Sequence, residues 1–337
     1  MEYVKDLKWY EGMKIKDLVE SFGLVGYQSI ELSRASNVIV KMKKNNTKIF
    51  LTFTSNMVTS GLRGFFAQLI SLGMVDVIVT TAGSVEEDIM KTIGEKFSIG
   101  RFESDDVELY ERGINRVGNI LIKNESYMNF EEKIKEILEK VYIKKKKWAV
   151  SDMLREIGLS LNDKNSILYQ AAKNDVPIFC PAITDGALGF HLYLFQQKYK
   201  DFIIDVIEDF GNILLCTSFD EKKGIIALGG STSKHHAILC TLLNGGADYA
   251  VYITTAHKTS GSMSGATTSE AKSWGKVKEE SDVATVIGDA TIIFPLVMIS
   301  ALEKLNSEGF LSESKIKAKA NEKRKINLES YKEYAKS

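Results

Sequence analysis

The strongest constraint on the fold of this chain is a set of short apolar runs that stop abruptly at small or polar residues. None of them alternates apolar with polar positions, and they cover residues 49–53, 75–79, 176–180, 225–228, 249–253 and 283–287. Strands buried on both faces have this composition. Segments of helical periodicity separate the runs. Strands alternating with helices predict an α/β fold, with a doubly wound, mostly parallel, Rossmann-like sheet and helices on both faces.

One predicted helix can be described in detail. In residues 129–141, Asn129 is expected to cap the helix and Glu132 to complete a capping box. The apolar side chains of the segment fall on one helical face: Phe130, Ile134, Ile137, Leu138 and Val141. The sequence therefore predicts an amphipathic helix packed on the core.

No Pro/Gly/Ser-rich linker divides the 337 residues, which favours one large domain over residues 1–310. Residues 311–337 carry eight basic and four acidic groups. A solvated helix or tail is the expected structure of this segment, and a nucleic-acid-binding arm is the alternative.

Charge and cysteine content narrow the class of protein. The 44 basic and 44 acidic side chains cancel, so net charge recruits neither nucleic acid nor an anionic membrane. The cysteines at 180, 216 and 240 are odd in number and widely spaced, which argues against zinc, another metal site or a disulfide framework. The apolar runs are shorter than the ~20 residues of a membrane span. A cytoplasmic protein without a membrane partner is expected.

The loops that follow the six runs carry small, hydroxyl and acidic residues. In open α/β sheets, ligands bind beyond the carboxyl ends of the strands, where helix N-termini favour phosphate. These loops predict a nucleotide site with acids for ribose hydroxyls, although such residues are also ordinary caps and turns. The G-x-G-x-x-G fingerprint is absent, so the residues alone do not specify NAD.

Each of three candidate groups can be interpreted in two ways. Glu86 and Glu87 either stabilise a helix N-terminus in its first turn, or bind a ribose and a cationic substrate. His235 is either a satisfied helix histidine or a general base. Lys276, two residues after Trp274, is either a solvated charge or a nucleophile whose pKa an apolar wall lowers, which would permit Schiff-base chemistry.

Seven segments, in the same order and over nearly the whole chain, resemble deoxyhypusine synthase: TSNMVTSG, MVDVIVTTAGSVEED, GINRVGNILIKNESY, PAITDGALG, LGGSTSKHH, NGGADYAVYITTA and SGATTSEAKSWGK. The resemblance implies a Rossmann-like homotetramer with active sites at dimer interfaces. It implies NAD-dependent transfer of the 4-aminobutyl group of spermidine, through an enzyme imine, to a lysine of the hypusine-containing translation factor.

Carried over by position, the resemblance makes Lys276 the imine-forming nucleophile and His235 the base. Glu87 would act at the hydride-transfer region, while Glu270 and Trp274 would bind the amine. The positions that match cofactor contacts are Ser55, Asn56, Thr81, Ala82, Gly83, Glu86, Asp185, Gly230, Thr255, Ser264, Asp289 and Ala290.

Three positions depart from the family pattern. Phe190 and Met263 stand where the family has amine-binding aspartates, and Ser231 replaces a glycine. An unpaired ammonium is costly to bury, so this substrate-binding pair leaves open two alternatives. One is transfer to a small amine, as in homospermidine synthases, and the other is a non-catalytic NAD-binding partner subunit. Other acids could also replace the aspartates in space.

Overall fold

A computed structural model describes residues 2–259 and 261–311 of the chain. The predicted C-terminal segment therefore lies, from residue 312 onward, outside the described residues. The strands are β1 (Lys48–Thr52), β2 (Val77–Val79), β3 (Ser98–Ile99), β4 (Ile114–Val117), β5 (Ile120–Lys123), β6 (Lys147–Ala149), β7 (Ile178–Phe179), β8 (Ile203–Asp205), β9 (Lys223–Leu228), β10 (Ala247–Thr254) and β11 (Val277–Ile287). Each of the six apolar runs contains or overlaps one of these strands.

The α-helices are α1 (Ile15–Ser21), α2 (Gln28–Lys44), α3 (Ser55–Met57), α4 (Arg63–Ser71), α5 (Ala82–Thr92), α6 (Asp106–Glu111), α7 (Asn124–Lys144), α8 (Val150–Ser160), α9 (Ile167–Lys173), α10 (Ala187–Lys198), α11 (Val206–Leu214), α12 (Ser231–Leu243), α13 (Thr268–Ser273) and α14 (Ala290–Ser307). Short 3₁₀ turns occupy Phe22–Leu24 and Met263–Gly265, and a π-turn occupies Val58–Leu62.

The chain forms two compact units. Among the described residues, the first contains those up to Phe53, Leu72–Val79 and those from Gly211 onward, and the second contains Thr54–Ser71 and Thr80–Phe210. The prediction of a single domain over residues 1–310 stays a prediction.

The first unit is built on parallel strands in the order β11, β10, β9, β1 and β2. Helices lie on both faces of these strands. Tyr249 of β10 accepts a hydrogen bond from Asn45 at the end of α2, whereas Tyr252 lies beneath Lys234 of α12. Residues three apart in a strand point to opposite faces. The predicted α/β fold with a mostly parallel, helix-flanked sheet is therefore confirmed.

The second unit has an antiparallel sheet of β3, β5 and β4, a parallel pair of β6 and β8, and strand β7. The predicted apolar face of α7 is buried. Its predicted start is wrong, because α7 begins at Asn124 and Asn129 lies inside it. Glu95 explains the difference: it accepts hydrogen bonds from both Ser126 and Asn129 and so fixes the first two turns of the helix.

Helix α14 is, within the described residues, the one helix long and apolar enough to cross a membrane. It has 18 residues. Phe294, Val297 and Met298 are buried, and the helix packs against α1, α2 and β10 of its own unit. Length and composition alone do not establish a span.

Candidate active site

In the second unit, three of the predicted ligand loops pack tightly against one another. A Cβ atom on Gly83 would lie 2.8 Å from the Cβ of Ser55, and one on Gly186 would lie 2.9 Å from Oε2 of Glu86. Glu86 Oε2 also accepts a hydrogen bond of 2.9 Å from the backbone N–H of Leu188. The missing side chains at the two glycines therefore allow the start of α3, the start of α5 and the turn before α10 to meet.

Glu86 and Glu87 are both buried, but they do not lie in the first helical turn as one sequence interpretation supposed. Helix α5 begins at Ala82, so the two carboxylates belong to its second turn. Burial raises the pKa of Glu86, while hydrogen bonds from the backbones of Leu188 and Ala187 oppose this rise. The two acids therefore do not stabilise the N-terminus of their own helix α5, whereas Glu86 binds the first N–H groups of α10.

Glu87 has the properties of a proton-transfer group. Its Oε2 accepts a hydrogen bond of 2.6 Å from Thr59 Oγ1. Burial raises its pKa to about 7, and this rise is limited by the Thr59 hydrogen bond and by the charge of Lys91. A carboxylate with this pKa exchanges protons efficiently near neutral pH.

The remaining predicted cofactor positions of the second unit lie at the starts of α3 and α5 and before α10. Thr81 precedes α5 without a side-chain cap, and Ala82 is its first residue. Asn56 is exposed in α3 and accepts a hydrogen bond from Thr54. Asp185 is exposed, and its charge contributes to the raised pKa of Glu86.

In the first unit, four predicted cofactor residues follow the carboxyl ends of neighbouring parallel strands. Gly230 follows β9, Thr255 follows β10, and Asp289 and Ala290 follow β11. A Cβ atom on Gly230 would lie 2.2 Å from the Ser264 hydroxyl, so only glycine allows this approach. Asp289 caps α14 by accepting a hydrogen bond of 2.7 Å from the Thr291 N–H.

Lys276 is fixed by the way in which α13 ends. Gly275 adopts φ of +68°, a left-handed conformation that glycine tolerates best. Its N–H bonds to the Lys272 carbonyl, and the Lys276 N–H bonds to the Ala271 carbonyl, which together form a Schellman motif. The sequence SWGK therefore defines the backbone of the lysine locally.

The side chain of Lys276 is half-buried, with Nζ 4.9 Å from the centroid of the Trp274 ring. Trp274 itself is 66% exposed and thus has free surface beside the lysine. Glu270 is exposed in the first turn of α13. His235 is exposed on α12, and no described contact joins it to Lys276.

One supporting residue lies in each unit. Thr59 holds Glu87, and Lys234 is fully buried beneath the loop that contains Met263. The sequence gives Thr59 no role and places Lys234 only among the polar residues of the loop that follows a predicted strand. Only burial, which the sequence does not report, distinguishes this lysine from a surface charge.

Comparisons with known proteins agree over most of the chain. The profile of the deoxyhypusine synthase family matches residues 17–301. A protein of Thermoplasma volcanium named a probable deoxyhypusine synthase is 44% identical over 298 residues, which cover 88% of this chain and 96% of the relative. The deoxyhypusine synthase of Kluyveromyces lactis is 37% identical, over 85% of this chain and 87% of the relative.

The chain belongs to the deoxyhypusine synthase family. A crystal structure assigned to a deoxyhypusine synthase of Entamoeba histolytica superimposes with a TM-score of 0.63 at 28% identity, and the match covers 88% of this chain and 97% of that one. Members of this family are transferases of the hypusine pathway, and NAD-dependent aminobutyl transfer is the family function. The comparisons do not favour either alternative activity.

The departures from the deoxyhypusine synthase pattern have defined surroundings. Phe190 lies in the first turn of α10, is 58% exposed, and packs 5.6 Å from the His191 ring, centroid to centroid. Met263 is half-buried and its carbonyl is bonded to Lys234. Ser231 adopts φ of +65°, the left-handed region that a glycine would occupy without strain.

Proposed function

We propose that this chain is a working deoxyhypusine synthase, in which Lys276 carries the 4-aminobutyl group between spermidine and a protein lysine. The observation that carries the proposal is the half-buried Lys276 beside an exposed indole, on a backbone fixed by a Schellman motif. A nucleophile held in this way meets a carbon in the same orientation at each turnover.

We infer that the cofactor is NAD, because the residues present fit a dinucleotide. Helices α5 and α12 begin without side-chain caps, so their first N–H groups are free to bind phosphate oxygens. The close approaches at Gly83 and Gly230 leave backbone where side chains would obstruct a ligand. When bound, NAD would supply the hydride acceptor for oxidation of the amine and, once reduced, the hydride donor after transfer.

In the proposed transfer, Lys276 forms and breaks bonds to carbon, and Glu87 and His235 move protons. The amine of Lys276 attacks the oxidised carbon of spermidine, the bond to 1,3-diaminopropane breaks, and an imine to Lys276 remains. An acceptor lysine then displaces Lys276 by the same exchange. Glu87, with a pKa of about 7, and His235 move the protons that these exchanges require.

Binding of the cationic amine is assigned to acids of the chain. Glu270 is exposed in α13, and Glu87 is buried in α5. Trp274 contributes an aromatic face, which attracts ammonium groups. Phe190 and Met263 provide apolar contacts at positions where the family has carboxylates, so we expect weaker binding of spermidine than in relatives that have both aspartates.

The protein partner is proposed to be the precursor of the hypusine-containing translation factor, and the assembly a homotetramer with interfacial active sites in the cytoplasm. Light scattering at micromolar concentration tests the assembly. A monomer that still transfers the aminobutyl group would contradict the interfacial site.

Trapping of the imine tests the function. The protein is incubated with NAD and spermidine, reduced with borohydride and digested for mass spectrometry. We expect an aminobutyl adduct on Lys276 that Lys276→Ala abolishes and Lys278→Ala retains. Lys278 is a suitable control because it is exposed, two residues away, and paired with Asp248.

Two results would contradict this function. An adduct that forms only with another amine would indicate transfer to a small amine. Measurable NAD binding without an adduct from any polyamine would indicate a non-catalytic subunit.

A further inference from the structure

Lys234 is a buried cation that the proposed mechanism does not use. It lies in the first turn of α12 with 1% of its surface exposed. None of the described carboxylates forms an ion pair with it; its Nζ lies 4.1 Å from the centroid of the Tyr252 ring. Burial lowers its pKa to about 8. Burial of an ammonium group without an ion-pair partner costs free energy. We therefore expect the hydrogen bonds of the Lys234 Nζ to have a structural function.

Those hydrogen bonds hold one loop at two points. Nζ of Lys234 donates to the Met263 carbonyl at 3.1 Å and to the Ala266 carbonyl at 2.9 Å. The two carbonyls flank the 3₁₀ turn Met263–Gly265. Within the loop, the Gly265 N–H donates to the Ser262 carbonyl, the Ala266 N–H to the Met263 carbonyl, and the Ser264 N–H to Ser262 Oγ.

The same loop contains two predicted ligand positions. Met263 stands at an amine-binding position and Ser264 at a cofactor position, and Ser264 contacts the bare Cα of Gly230 at the start of α12. Lys234 lies one helical turn after Gly230. The side chain of Lys234 and the surface of Gly230 therefore hold the loop against one helix at two points.

We propose that Lys234 is a positioning residue, which holds the Met263–Ala266 loop in the orientation that binds the amine substrate. The proposal rests on the proposed function for the identity of that substrate. It predicts that loss of the Nζ donors mainly weakens amine binding, because the chemical step depends on Lys276 and Glu87. A displacement of about 1 Å in a binding loop is sufficient for large losses.

The chain offers a matched control. Lys223 is also fully buried, and its Nζ donates to the carbonyls of Ser218, Phe219 and Glu221. It starts β9, at the end of the strand opposite the ligand loops. Lys223→Met therefore removes the same kind of interaction from the same unit without affecting the candidate site.

The experiment compares Lys234→Met and Lys223→Met in the full chain, with spermidine and NAD. We expect Lys234→Met to raise the KM for spermidine about tenfold with a two- to threefold change in kcat. Lys223→Met should lower the melting temperature while leaving KM within twofold of wild type. Lys234→Gln, which keeps one donor, should give an intermediate KM.

Hydrogen exchange gives a readout independent of activity. In the wild-type protein, the Gly265 and Ala266 amides should exchange much more slowly than unstructured amides, and Lys234→Met should accelerate them selectively. Exchange of these wild-type amides at unstructured rates would overturn the proposal even if no variant folds. Equal KM values in the two methionine variants would also overturn it. Failure of the proposed function would instead appear as an absent Lys276 adduct in wild type, with loop protection intact.

Discussion

Replacement of Glu87 by glutamine should stabilise the protein, by an amount that grows with pH. The pKa of Glu87 rises from the ordinary 4.5 to about 7 because the carboxylate is buried. A shift of about 2.5 units corresponds to about 3 kcal/mol at 1.36 kcal/mol per unit. The pKa of Glu87 is higher in the folded than in the unfolded state. Its contribution to the free energy of unfolding is therefore fully present below pH 4.5 and is lost as pH rises through 7.

Urea unfolding of wild type and Glu87→Gln between pH 5.5 and 8.5 measures the effect. Glutamine keeps the shape of the side chain and does not titrate, so its advantage over wild type should increase by about 2 kcal/mol across this range. The remaining ~1 kcal/mol develops below pH 5.5. The same variant should lose aminobutyl transfer, since an amide accepts no proton.

Glu95→Gln is the control, because the pKa of Glu95 is shifted in the opposite direction to that of Glu87. Hydrogen bonds from Ser126 and Asn129 lower the pKa of Glu95, so its stabilising contribution is already complete at pH 5.5. That variant should be less stable than wild type by a constant amount across the range. If the Glu87→Gln advantage is also constant with pH, Glu87 titrates normally and the reasoning about its burial is refuted.

Three further substitutions test the packing of the two units. Gly230→Ala should destabilise the protein by about 1–3 kcal/mol and weaken NAD binding in calorimetry, because the new Cβ would lie 2.2 Å from the Ser264 hydroxyl. Gly261→Ala is the control and should change neither quantity, because its Cβ would lie within 4 Å of no described atom. Ser231→Gly should stabilise by about 0.5–1 kcal/mol in urea unfolding, since it relieves a left-handed φ of +65°. Arg63→Met should destabilise by about 3–5 kcal/mol in the same assay, because it removes the positive charge that pairs with the buried Asp88 carboxylate and leaves it only hydrogen bonds from Ser166 and Leu168; a loss below 1 kcal/mol would contradict this.

Local chemistry accounts for the features that the sequence predicted. The apolar run 225–228 became part of β9 because residues without alternation suit a strand buried on both faces. Gly275, to which no sequence prediction was attached, acts just as locally: it ends α13 in a left-handed conformation and so fixes the backbone of Lys276. Both outcomes depend on residues that are neighbours in the chain.

The start of α7 shows where such reasoning fails. Asn129 and Glu132 form a valid local capping pattern, yet the helix begins at Asn124 because Glu95, about thirty residues earlier, binds Ser126 and Asn129. A distant hydrogen-bond acceptor thus outweighed a local cap, which is worth only about 1 kcal/mol.

By itself the sequence determined the class of fold, the family and the residues available for imine and proton chemistry. Only the tertiary structure decided how those residues behave. Glu87 acquired a pKa of about 7, and Lys234 was identified as a buried anchor, because both are surrounded by residues distant in the chain. Periodicity and caps act between neighbours, whereas desolvation depends on everything that packs around a group.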